Sequence, residues 1–511
     1  MTRSGGVMAF WADHVADRLL AGGNEPQRLA TGISPSGEIH LGNLREIMTA
    51  EGVFRVLEER GVEAHFLFIA DNLDPLRRVY SFLDPSIYGP LIGRSLAQIG
   101  CPCSDHASYS EHFLQPFVAA LRELGVGAEV IRADELYASG RMDAVIGTAL
   151  QHTEQIAVIL SELTGKQVHR GWSPFDPRCA RCNRLTETMV TGFDLGAKKV
   201  FYDCACGGKG SVPFAGGGKL TWRVDWPARW KVLNVTLEPF GKDHASRGGS
   251  YDTGIRIARE VFGAPPPFPV PYEWIALRGK GDMSSSKGNV LAIHKMLRVV
   301  PPQVLRYLVL RTEPQKSIVF DPGLPLLALH EELEDPGSKN RNPRAAQLAC
   351  LAGEPGCRVP FRHLVTVAQV ADFDVGRVKE ILERTGYQAG DSRALERSMG
   401  YIRNWLEGFA PEAVRFSLAP TLPEAARRLT VEQKTFLAAL TSRIQDEADA
   451  ESLHALIYDL VQEQGAPSPA PFFTALYLAL IGKPRGPRAG HFLAALPADF
   501  VRQRLREAAM G

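Results

Sequence analysis

Two short segments, far apart in the chain, carry the residue types that phosphate chemistry requires. The first runs from Pro35 to Asn43 (Pro-Ser-Gly-Glu-Ile-His-Leu-Gly-Asn), and the second runs from Met283 to Asn289 (Met-Ser-Ser-Ser-Lys-Gly-Asn). Fixed imidazole, amide, hydroxyl and ammonium groups can stabilise a pentavalent phosphorus and a departing pyrophosphate. Either segment alone is a weak signal because short motifs match by chance. The interpretation therefore depends on the pair and its order.

The first segment has the sequence context of a nucleotide-binding fold. Leu29–Ile33 predicts a short buried strand, the apolar spacing after Gly42 predicts a helix, and Ala64–Ala70 predicts a second strand. A strand, a glycine-bearing turn, a helix and a strand form a βαβ unit. His40 and Asn43 then stand where the helix begins, and helix N-termini favour phosphate.

The second segment is a polar loop that suits a phosphate clamp. It follows Tyr272–Leu277, which predicts a strand. Lys287 is the best candidate for holding the leaving pyrophosphate, and Lys280 is a weaker second. Ser284 and Ser286 supply hydroxyl groups beside it.

The composition indicates a large globular protein. The chain has 511 residues, a net charge of +1, 45% hydrophobic and 23% charged residues, which suggests three or four structural units. The net charge gives no argument for nucleic acid, so an RNA contact must use local basic patches. No apolar run reaches the length of a membrane span, and the N-terminus lacks a secretory pattern. We expect a cytoplasmic location and neither a membrane nor a DNA partner.

Four of the eight cysteines are spaced as in a zinc ribbon. Cys179 and Cys182 form one close pair, and Cys204 and Cys206 form a second pair after a hairpin's worth of residues. Four thiolates close a tetrahedral shell with no open position, which predicts a structural Zn²⁺ site. Redox-active or incidental thiols are the alternative.

The other four cysteines lack a matching second pair at metal spacing. We expect them to be reduced and structural or incidental. They are Cys101, Cys103, Cys350 and Cys357.

Several further clusters suggest a binding pocket. Trp222–Trp230 holds three tryptophans interleaved with Arg and Asp, a density of charge that is unusual for a core because buried charges need partners. Glu238–His244 precedes a predicted helix, Tyr251–Phe262, and so lies at a strand end, where ligands bind in doubly wound sheets. Asp71 and Asp74 follow another predicted strand, with a solvated turn or a helix cap as the alternative.

Taken together, the chain resembles class I aminoacyl-tRNA synthetases, and more narrowly the class I lysyl-tRNA synthetases found mostly in archaea and some bacteria. Three positions depart from the family pattern. Asp282 stands where many members have a lysine, Ser285 replaces a lysine between two serines, and Asn43 replaces a second histidine. The matching stretches span nearly the whole chain: Phe10–Asp13, Thr31–Asn43, Asp71–Arg77, Trp222–Trp230, Glu238–His244, Met283–Asn289, Val359–Val365 and Gly482–Arg488.

The resemblance implies an α/β fold with a Rossmann-type doubly wound parallel sheet and an inserted zinc ribbon, followed by an all-helical C-terminal domain. Mostly helix-length amphipathic runs after residue 345 agree with this, and the polar segment Glu332–Asn342 predicts a linker. We expect a first catalytic half at 1–175, the ribbon at 176–212, a second catalytic half at 213–300, a connecting domain at 301–342 and an anticodon-binding domain at 343–511.

The resemblance also implies roles for individual residues. The catalytic set is His40, Asn43, Lys287 and Lys280. The ATP-binding set is Pro35, His40, Gly42, Asn43, Gly241, Asp243, Met283, Ser284, Ser286 and Lys287. The lysine-binding set is Gly32, Ser34, Asp71, Asp74, Trp222, Asp225 and His244.

An ε-ammonium ion in a dry pocket needs a carboxylate or several acceptors. Trp222 could cover the aliphatic stem or the cation itself. The sequence leaves four carboxylates open for the ammonium: Asp71, Asp74, Asp225 and Asp243.

A basic loop near the C-terminus suits RNA. Lys483, Arg485 and Arg488 alternate with glycine and proline, so the loop could contact phosphates or an unstacked base. An ordinary solvated loop is the alternative.

The expected activity is that of an ATP-dependent lysine–tRNA ligase. With Mg²⁺, lysine and ATP would give lysyl-adenylate and pyrophosphate, and lysine would pass to the 3′ terminal adenosine of tRNA(Lys). Two alternatives remain open: delivery of the aminoacyl group to an acceptor other than tRNA, and a catalytically silent RNA-binding paralogue. The C-terminal helical module argues against the first, and the intact phosphate residues argue against the second.

Overall fold

The computed structural model describes residues 10–23, 26–169, 171–279, 281–283, 290–351, 359–446 and 448–511, except for the side chain of Asp282. The chain forms two compact units. The first comprises 1–297, 305–320 and 342–350, and the second comprises 298–304, 321–341 and 351–511.

The strands of the described residues all belong to the first unit. They are β1 Gln27–Ile33, β2 Ala64–Ala70, β3 Glu129–Arg132, β4 Phe175–Pro177, β5 Thr188–Asp194, β6 Lys199–Cys204, β7 Lys209–Pro213, β8 Gly218–Leu220, β9 Leu237–Gly241, β10 Phe268–Tyr272, β11 Ile275–Leu277, β12 Gly281–Asp282 and β13 Ile318–Phe320.

The α-helices occur in both units. They are α1 Trp11–Leu20, α2 Leu44–Glu59, α3 Pro85–Tyr88, α4 Tyr109–Glu123, α5 Ala133–Ala138, α6 Asp143–Gln151, α7 Thr153–Thr164, α8 Trp222–Leu233, α9 Ser250–Glu260, α10 Ile293–Met296, α11 Pro302–Leu310, α12 Leu324–Glu334, α13 Pro343–Ala349, α14 Phe361–Val370, α15 Val375–Arg384, α16 Ser392–Gly408, α17 Val431–Arg443, α18 Ala450–Glu463, α19 Ala470–Ile481, α20 Ala489–Ala495 and α21 Ala498–Met510.

The core of the first unit is a five-stranded parallel sheet in the order β10-β9-β1-β2-β3. The predicted βαβ unit is present as β1, α2 and β2, with β1 and β2 paired along their whole length. The chain leaves β1 toward β2 on one side and returns as β9 on the other, which makes the β1–β9 junction a topological switch point. Ligands of open α/β sheets bind in the crevice at that point, outside the carboxyl ends of the strands.

One sequence-based strand prediction was wrong in its extent. Tyr272–Leu277 was expected to be one strand, but the chain passes here from β10 to β11, which belong to different sheets. Strand β10 carries Pro269 and Pro271 and lies at the edge of the parallel sheet. Proline cannot donate a ladder hydrogen bond, so an edge position is where such a strand is tolerated.

The cysteine-containing insertion forms its own small sheets. Strands β5, β6 and β7 form an antiparallel sheet, and β4 pairs with β8 to return the chain to α8.

Arg45, at the start of α2, fastens the first phosphate segment to a distant part of the chain. Its guanidinium is buried and donates hydrogen bonds to the carbonyl oxygens of Val309, Thr312, Glu313 and Lys316 at 2.6–3.3 Å. These carbonyls lie at the end of α11 and just beyond it, where the last turn of a helix leaves acceptors unsatisfied.

The second unit is helical throughout its described residues. Its apolar core is formed mainly by α17, α18, α19 and α21 together with α20. Trp405 of α16 is fully buried, and its indole N–H donates to the Pro322 carbonyl at 2.7 Å. Across the part of the chain that the structure describes, no helix is both long and apolar enough to cross a membrane. The predicted fold class, a parallel α/β sheet followed by a helical domain, is thus confirmed.

Candidate active site and metal centres

The first phosphate segment forms a tight turn that leads into α2. His40 precedes a 3-10 turn, Leu41–Asn43, which continues directly into the helix. The Gly42 N–H donates to His40 Nδ1, and the His40 N–H donates to Asn43 Oδ1, each at 3.1 Å. This reciprocal capping arrangement fixes the orientation of the imidazole ring.

The hydrogen bond also determines what His40 can offer a ligand. Burial lowers the pKa of His40 to about 4, so the ring is neutral at pH 7. Since Nδ1 accepts a hydrogen bond, the proton lies on Nε2, which is left as a neutral donor. Gly42 is required for this geometry because a Cβ at that position would lie 2.8 Å from His40 Nδ1 and Cε1.

The first residue of the second segment, Met283, and a residue just after the segment, Ala292, lie against this turn. His40 forms a bridge with Ala292, and the buried Met283 has its methyl carbon 3.8 Å from the place of a Gly42 Cβ. Met283 and Ala292, which flank the undescribed residues 284–289, therefore lie against the first phosphate segment. Four of the predicted residues lie outside the described residues: Lys280, Ser284, Ser286 and Lys287.

Three other residues of the predicted ATP set surround the strand ends. Pro35 is buried in the loop after β1. Gly241 ends β9, where a Cβ would lie 2.7 Å from the ring of Trp274. Asp243 follows it and is exposed, with 60% of its side chain accessible. Their contact with ATP stays a prediction.

A cavity of about 300 Å³ lies at the carboxyl ends of β1, β2 and β9, beside α8. The residues expected to bind lysine converge on it with one exception, Asp225. Those that line it are Gly32, Ser34, Asp71, Asp74, Trp222 and His244.

A buried network of charges lies next to the cavity. The Lys219 Nζ lies 2.7 Å from Asp71 Oδ1 and also contacts Asp74, while Arg229 lies 2.9 Å from Asp71 and contacts Asp225. All five side chains are buried or nearly so. Asp225 is fully buried and absent from the cavity wall, which corrects the expectation that it faces the substrate.

The network favours the charged forms of Lys219 and Asp71, whereas burial raises the pKa of Asp225. Burial would lower the pKa of Lys219, but Asp71, Asp74 and Asp225 outweigh burial and raise that pKa above its usual range. Burial would raise the pKa of Asp71, but Arg229 and Lys219 hold it well below its usual range. Three of the four carboxylates left open by the sequence are therefore already paired within the protein.

Three tryptophans on α8 form a ladder along the cavity. Trp222 and Trp226 stack with ring centroids 5.2 Å apart, and Trp230 follows at 5.1 Å. They stand four residues apart, so they lie on one face of the helix. Trp222 is half-buried next to His244, whereas Trp226 and Trp230 are 5% and 2% exposed. The ladder thus leads from the cavity rim to its floor.

Two glutamates also line the cavity. Glu238 accepts hydrogen bonds from the indole N–H groups of the second and third tryptophans of the ladder, at 2.9 and 2.6 Å. Glu46 accepts from the Gly32 N–H at 2.8 Å and from the Tyr272 hydroxyl at 2.7 Å. Burial raises the pKa of Glu238 to about 8 and that of Glu46 to about 7.

The four ribbon cysteines meet as their spacing predicts. The Sγ atoms of Cys179 and Cys206 lie 3.6 Å apart, those of Cys182 and Cys204 lie 3.7 Å apart, and all four lie within 4.8 Å of one another. Zinc–sulfur bonds of about 2.3 Å give sulfur–sulfur distances of about 3.8 Å, so this donor set fits tetrahedral zinc. A Cβ on Gly208 would lie 3.0 Å from Cys179 Sγ, which shows how closely the backbone follows the thiols.

A second donor cluster corrects the expectation for Cys101 and Cys103. The two thiols meet the Nδ1 atoms of His106 and His112, with sulfur–nitrogen distances of 3.2–3.6 Å. Two thiols and two imidazoles form a further tetrahedral set. Cysteine spacing alone does not indicate this cluster, because two of its four donors are histidines that stand six residues apart. Cys350 is exposed and belongs to neither cluster.

In the second unit, the basic loop divides into two kinds of residue. The Lys483 ammonium donates to Glu412 Oε1 and to the Arg415 carbonyl, each at 2.8 Å, and so ties the loop to the chain. Arg485 and Arg488 are exposed. Of the three predicted RNA contacts, these two have guanidinium groups accessible to a polyanion, whereas Lys483 has a bracing role.

Several residues at the site were not assigned a role from the sequence. The interleaved charges and tryptophans of α8 were a signal that pointed to part of this set, but the partners lie far away in the chain. The unassigned residues are Glu46, Lys219, Trp226, Arg229, Trp230, Glu238, His106 and His112.

Comparison with known proteins gives matches over the whole chain. A family model described as tRNA synthetases class I (K) matches residues 9–347, and one described as an anticodon binding domain matches residues 406–509. A protein of Methanosarcina barkeri named lysine–tRNA ligase is 46% identical over 524 residues, which cover 98% of this chain and 97% of the relative.

Two further relatives carry the same name. The protein of Archaeoglobus fulgidus is 47% identical over 501 residues, and that of Thermoplasma acidophilum is 39% identical over 514 residues; each match covers 98% of this chain and 99% of the relative. The resemblance inferred from the sequence is therefore confirmed. With the family model matched over more than half of its length and relatives this similar over nearly all of it, the chain belongs to the class I tRNA synthetases, type K.

Proposed function

We propose that this protein is an ATP-dependent lysine–tRNA ligase. One observation carries the proposal: the cavity that holds the predicted lysine-binding residues lies at the switch point of the sheet, where β1 runs on into the His40 turn. An amino acid in that cavity would present its carboxylate to the α-phosphate of an ATP held at the turn. The names of the full-length relatives support the same activity.

The reaction needs little covalent participation from the protein. The lysine carboxylate attacks the α-phosphorus, and the bond to pyrophosphate breaks. Positioning the two substrates supplies much of the rate. His40 contributes a neutral Nε2–H donor whose orientation is fixed before the substrate arrives, so no reorganisation is needed as charge develops. Lys287, with Lys280 as a second candidate, would hold the pyrophosphate, and Mg²⁺ would accompany ATP.

The second step transfers lysine to the 3′ terminal adenosine of tRNA(Lys). The helical second unit contains the match to an anticodon binding domain and so is the proposed tRNA-reading part. Arg485 and Arg488 would neutralise phosphates there, and each such contact adds to the salt dependence of binding.

The two donor clusters would each hold a zinc ion. Both have four protein ligands, which leaves no open position for a substrate, so both are proposed as structural centres. Cys179, Cys182, Cys204 and Cys206 would hold one ion. The other would be held by Cys101, Cys103, His106 and His112.

Lysine, rather than another amino acid, should drive ATP–pyrophosphate exchange by the purified protein. A neutral or acidic side chain would leave the polar groups of this cavity without a complementary partner, and such mismatches at polar sites reduce catalytic efficiency by about 10⁴–10⁵. Exchange is measured with each amino acid in turn, followed by charging of tRNA(Lys). Exchange with a different amino acid would overturn the substrate, and exchange without charging would favour an acceptor other than tRNA.

Gly42→Ala should slow adenylate formation about as much as His40→Ala does, by roughly 10²–10³-fold, as for the loss of one oriented donor. The new methyl group would displace the imidazole, so the double variant should be no slower than either single variant. The single-turnover rate at saturating lysine and ATP measures this. Gly127→Ala, where a methyl group meets open space, is the control. Additive losses in the double variant would show that Gly42 acts independently of His40.

Protein purified without chelator should contain two zinc ions per chain by metal analysis. Cys182→Ser and His112→Ala should each lose one ion and lower the melting temperature, because binding energy at a closed site is also folding energy. Cys350→Ser, outside both clusters, should keep both ions. If His112→Ala contains as much zinc as the wild type, the Cys/His centre is contradicted. If Cys182→Ser contains as much zinc as the wild type, the ribbon centre is contradicted.

A further inference from the structure

The floor of the cavity holds a carboxylate that lacks a counter-ion. Glu238, on β9, is 6% exposed, and both of its oxygens accept indole N–H bonds from α8. Among the described residues none forms an ion pair with it. A buried carboxylate with neutral donors only is costly to ionise, and an incoming cation removes that cost.

The other carboxylates near the cavity are less suited to a substrate cation. Asp71 and Asp74 are already paired with Lys219, Asp225 is buried behind the cavity wall, and Asp243 is exposed. A substrate ammonium would have to compete there with a protein ammonium or with water.

The shape of the cavity directs a long side chain toward Glu238. The tryptophan ladder begins at the half-buried Trp222 and ends at Trp230, whose indole N–H lies 2.6 Å from Glu238 Oε2. An aliphatic stem can lie along these aromatic faces while its charged end reaches the floor.

We propose that Glu238 is the residue that determines specificity for lysine: its carboxylate receives the substrate ε-ammonium, and Trp226 and Trp230 position it. This inference rests on the proposed function, since it names the partner of the lysine side chain within the same cavity.

Glu46 is the nearest competitor. It is only partly buried, and its two oxygens accept from the Gly32 N–H and the Tyr272 hydroxyl, which tie it to β1 and β10. It adds negative potential to the cavity wall, whereas Glu238 lies at the end of the aromatic ladder. Glu238 is therefore the assigned partner of the substrate ε-ammonium, and Glu46 is the alternative that the experiment must exclude.

Pairing with the lysine ammonium should change the protonation state of Glu238. Burial and the nearby Glu46 raise the pKa of Glu238, while the two indole donors and Arg229 lower it, and the result is about 8. Tyr251 also faces it, from α9. At pH 7 the free protein therefore holds Glu238 mostly protonated. An ammonium ion beside it lowers its pKa, so lysine binding at pH 7 should release this proton.

The test compares Glu238→Gln, Glu238→Asp and Glu46→Gln with the wild type, and Glu63→Gln serves as an exposed control. The Michaelis constant for lysine comes from ATP–pyrophosphate exchange. Calorimetry of lysine binding at pH 7 in two buffers of different ionisation enthalpy gives the number of protons released. Norleucine, which has the same stem without the ammonium group, is the uncharged probe in binding competition.

For Glu238→Gln we expect the Michaelis constant for lysine to rise at least about 30-fold, as for loss of one partner of a buried charge pair. The release of the Glu238 proton should disappear, and the preference for lysine over norleucine should collapse. Glu238→Asp should retain proton release with weaker binding, which separates loss of charge from loss of folding. Glu46→Gln, which removes charge from the cavity wall, should weaken lysine binding less than Glu238→Gln does. The exposed control Glu63→Gln should leave all three measurements unchanged.

Unchanged lysine affinity, proton release and preference in Glu238→Gln would overturn the assignment. The assignment would also be overturned if lysine affinity, proton release and preference were lost in Glu46→Gln but kept in Glu238→Gln. That result would identify Glu46 as the partner of the ammonium. Failure of the wild type to use lysine in the exchange reaction would instead contradict the proposed function.

Discussion

The buried ion network around Lys219 and Arg229 is the interaction on which the rest of the site depends. It joins the end of β2, which carries Asp71, to β8 and α8, which lie more than 140 residues further along the chain. Removing one member of such a network leaves an uncompensated buried charge, at a cost of about 3–5 kcal/mol. The network therefore fixes α8 against the sheet, and α8 in turn provides the tryptophan wall of the cavity.

The carboxylates around the cavity are divided between a network that is paired within the protein and one carboxylate, Glu238, that accepts from neutral donors. Asp71, Asp74 and Asp225 contact two cations of the protein, Lys219 and Arg229, and Ser34 donates to Asp74 at 2.5 Å. Glu238 lies at the floor, where burial raises its pKa to about 8 and it lacks a counter-ion among the described residues until an ammonium binds. The turn that is proposed to bind phosphate differs from the cavity because it offers a neutral donor, His40, whose orientation is fixed by a hydrogen bond. Recognition of the amino acid and stabilisation of the phosphate thus rest on separate groups that meet at the ends of β1 and β9.

Sequence reasoning worked where the chemistry is local in the chain. The βαβ unit, the His40 turn and the ribbon cysteines each lie within a short stretch, so their periodicity and spacing were sufficient to predict their structure. It was less successful where partners come from distant elements. Lys219 looks like an ordinary strand residue until the fold places it 2.7 Å from Asp71.

The same reason explains two other misses. The Cys/His cluster was not predicted because its histidines come from a loop and from the first turns of α4. They therefore do not repeat the spacing of the cysteines. Glu238 reads as a polar residue in a strand, and its burial under two indoles follows only from the packing of α8 on β9. Burial of a charge and its compensation are properties of the assembled fold, which one-dimensional patterns do not encode.

The cavity is proposed to select lysine by one carboxylate at its floor, Glu238. A crystal structure of the protein with lysine and a non-hydrolysable ATP analogue tests it most directly. The account predicts the ε-ammonium about 2.7–2.9 Å from a Glu238 oxygen, the stem along Trp222 and Trp226, and a phosphate oxygen at His40 Nε2. A lysine side chain that points away from Glu238, or a ligand bound outside this cavity, would contradict it.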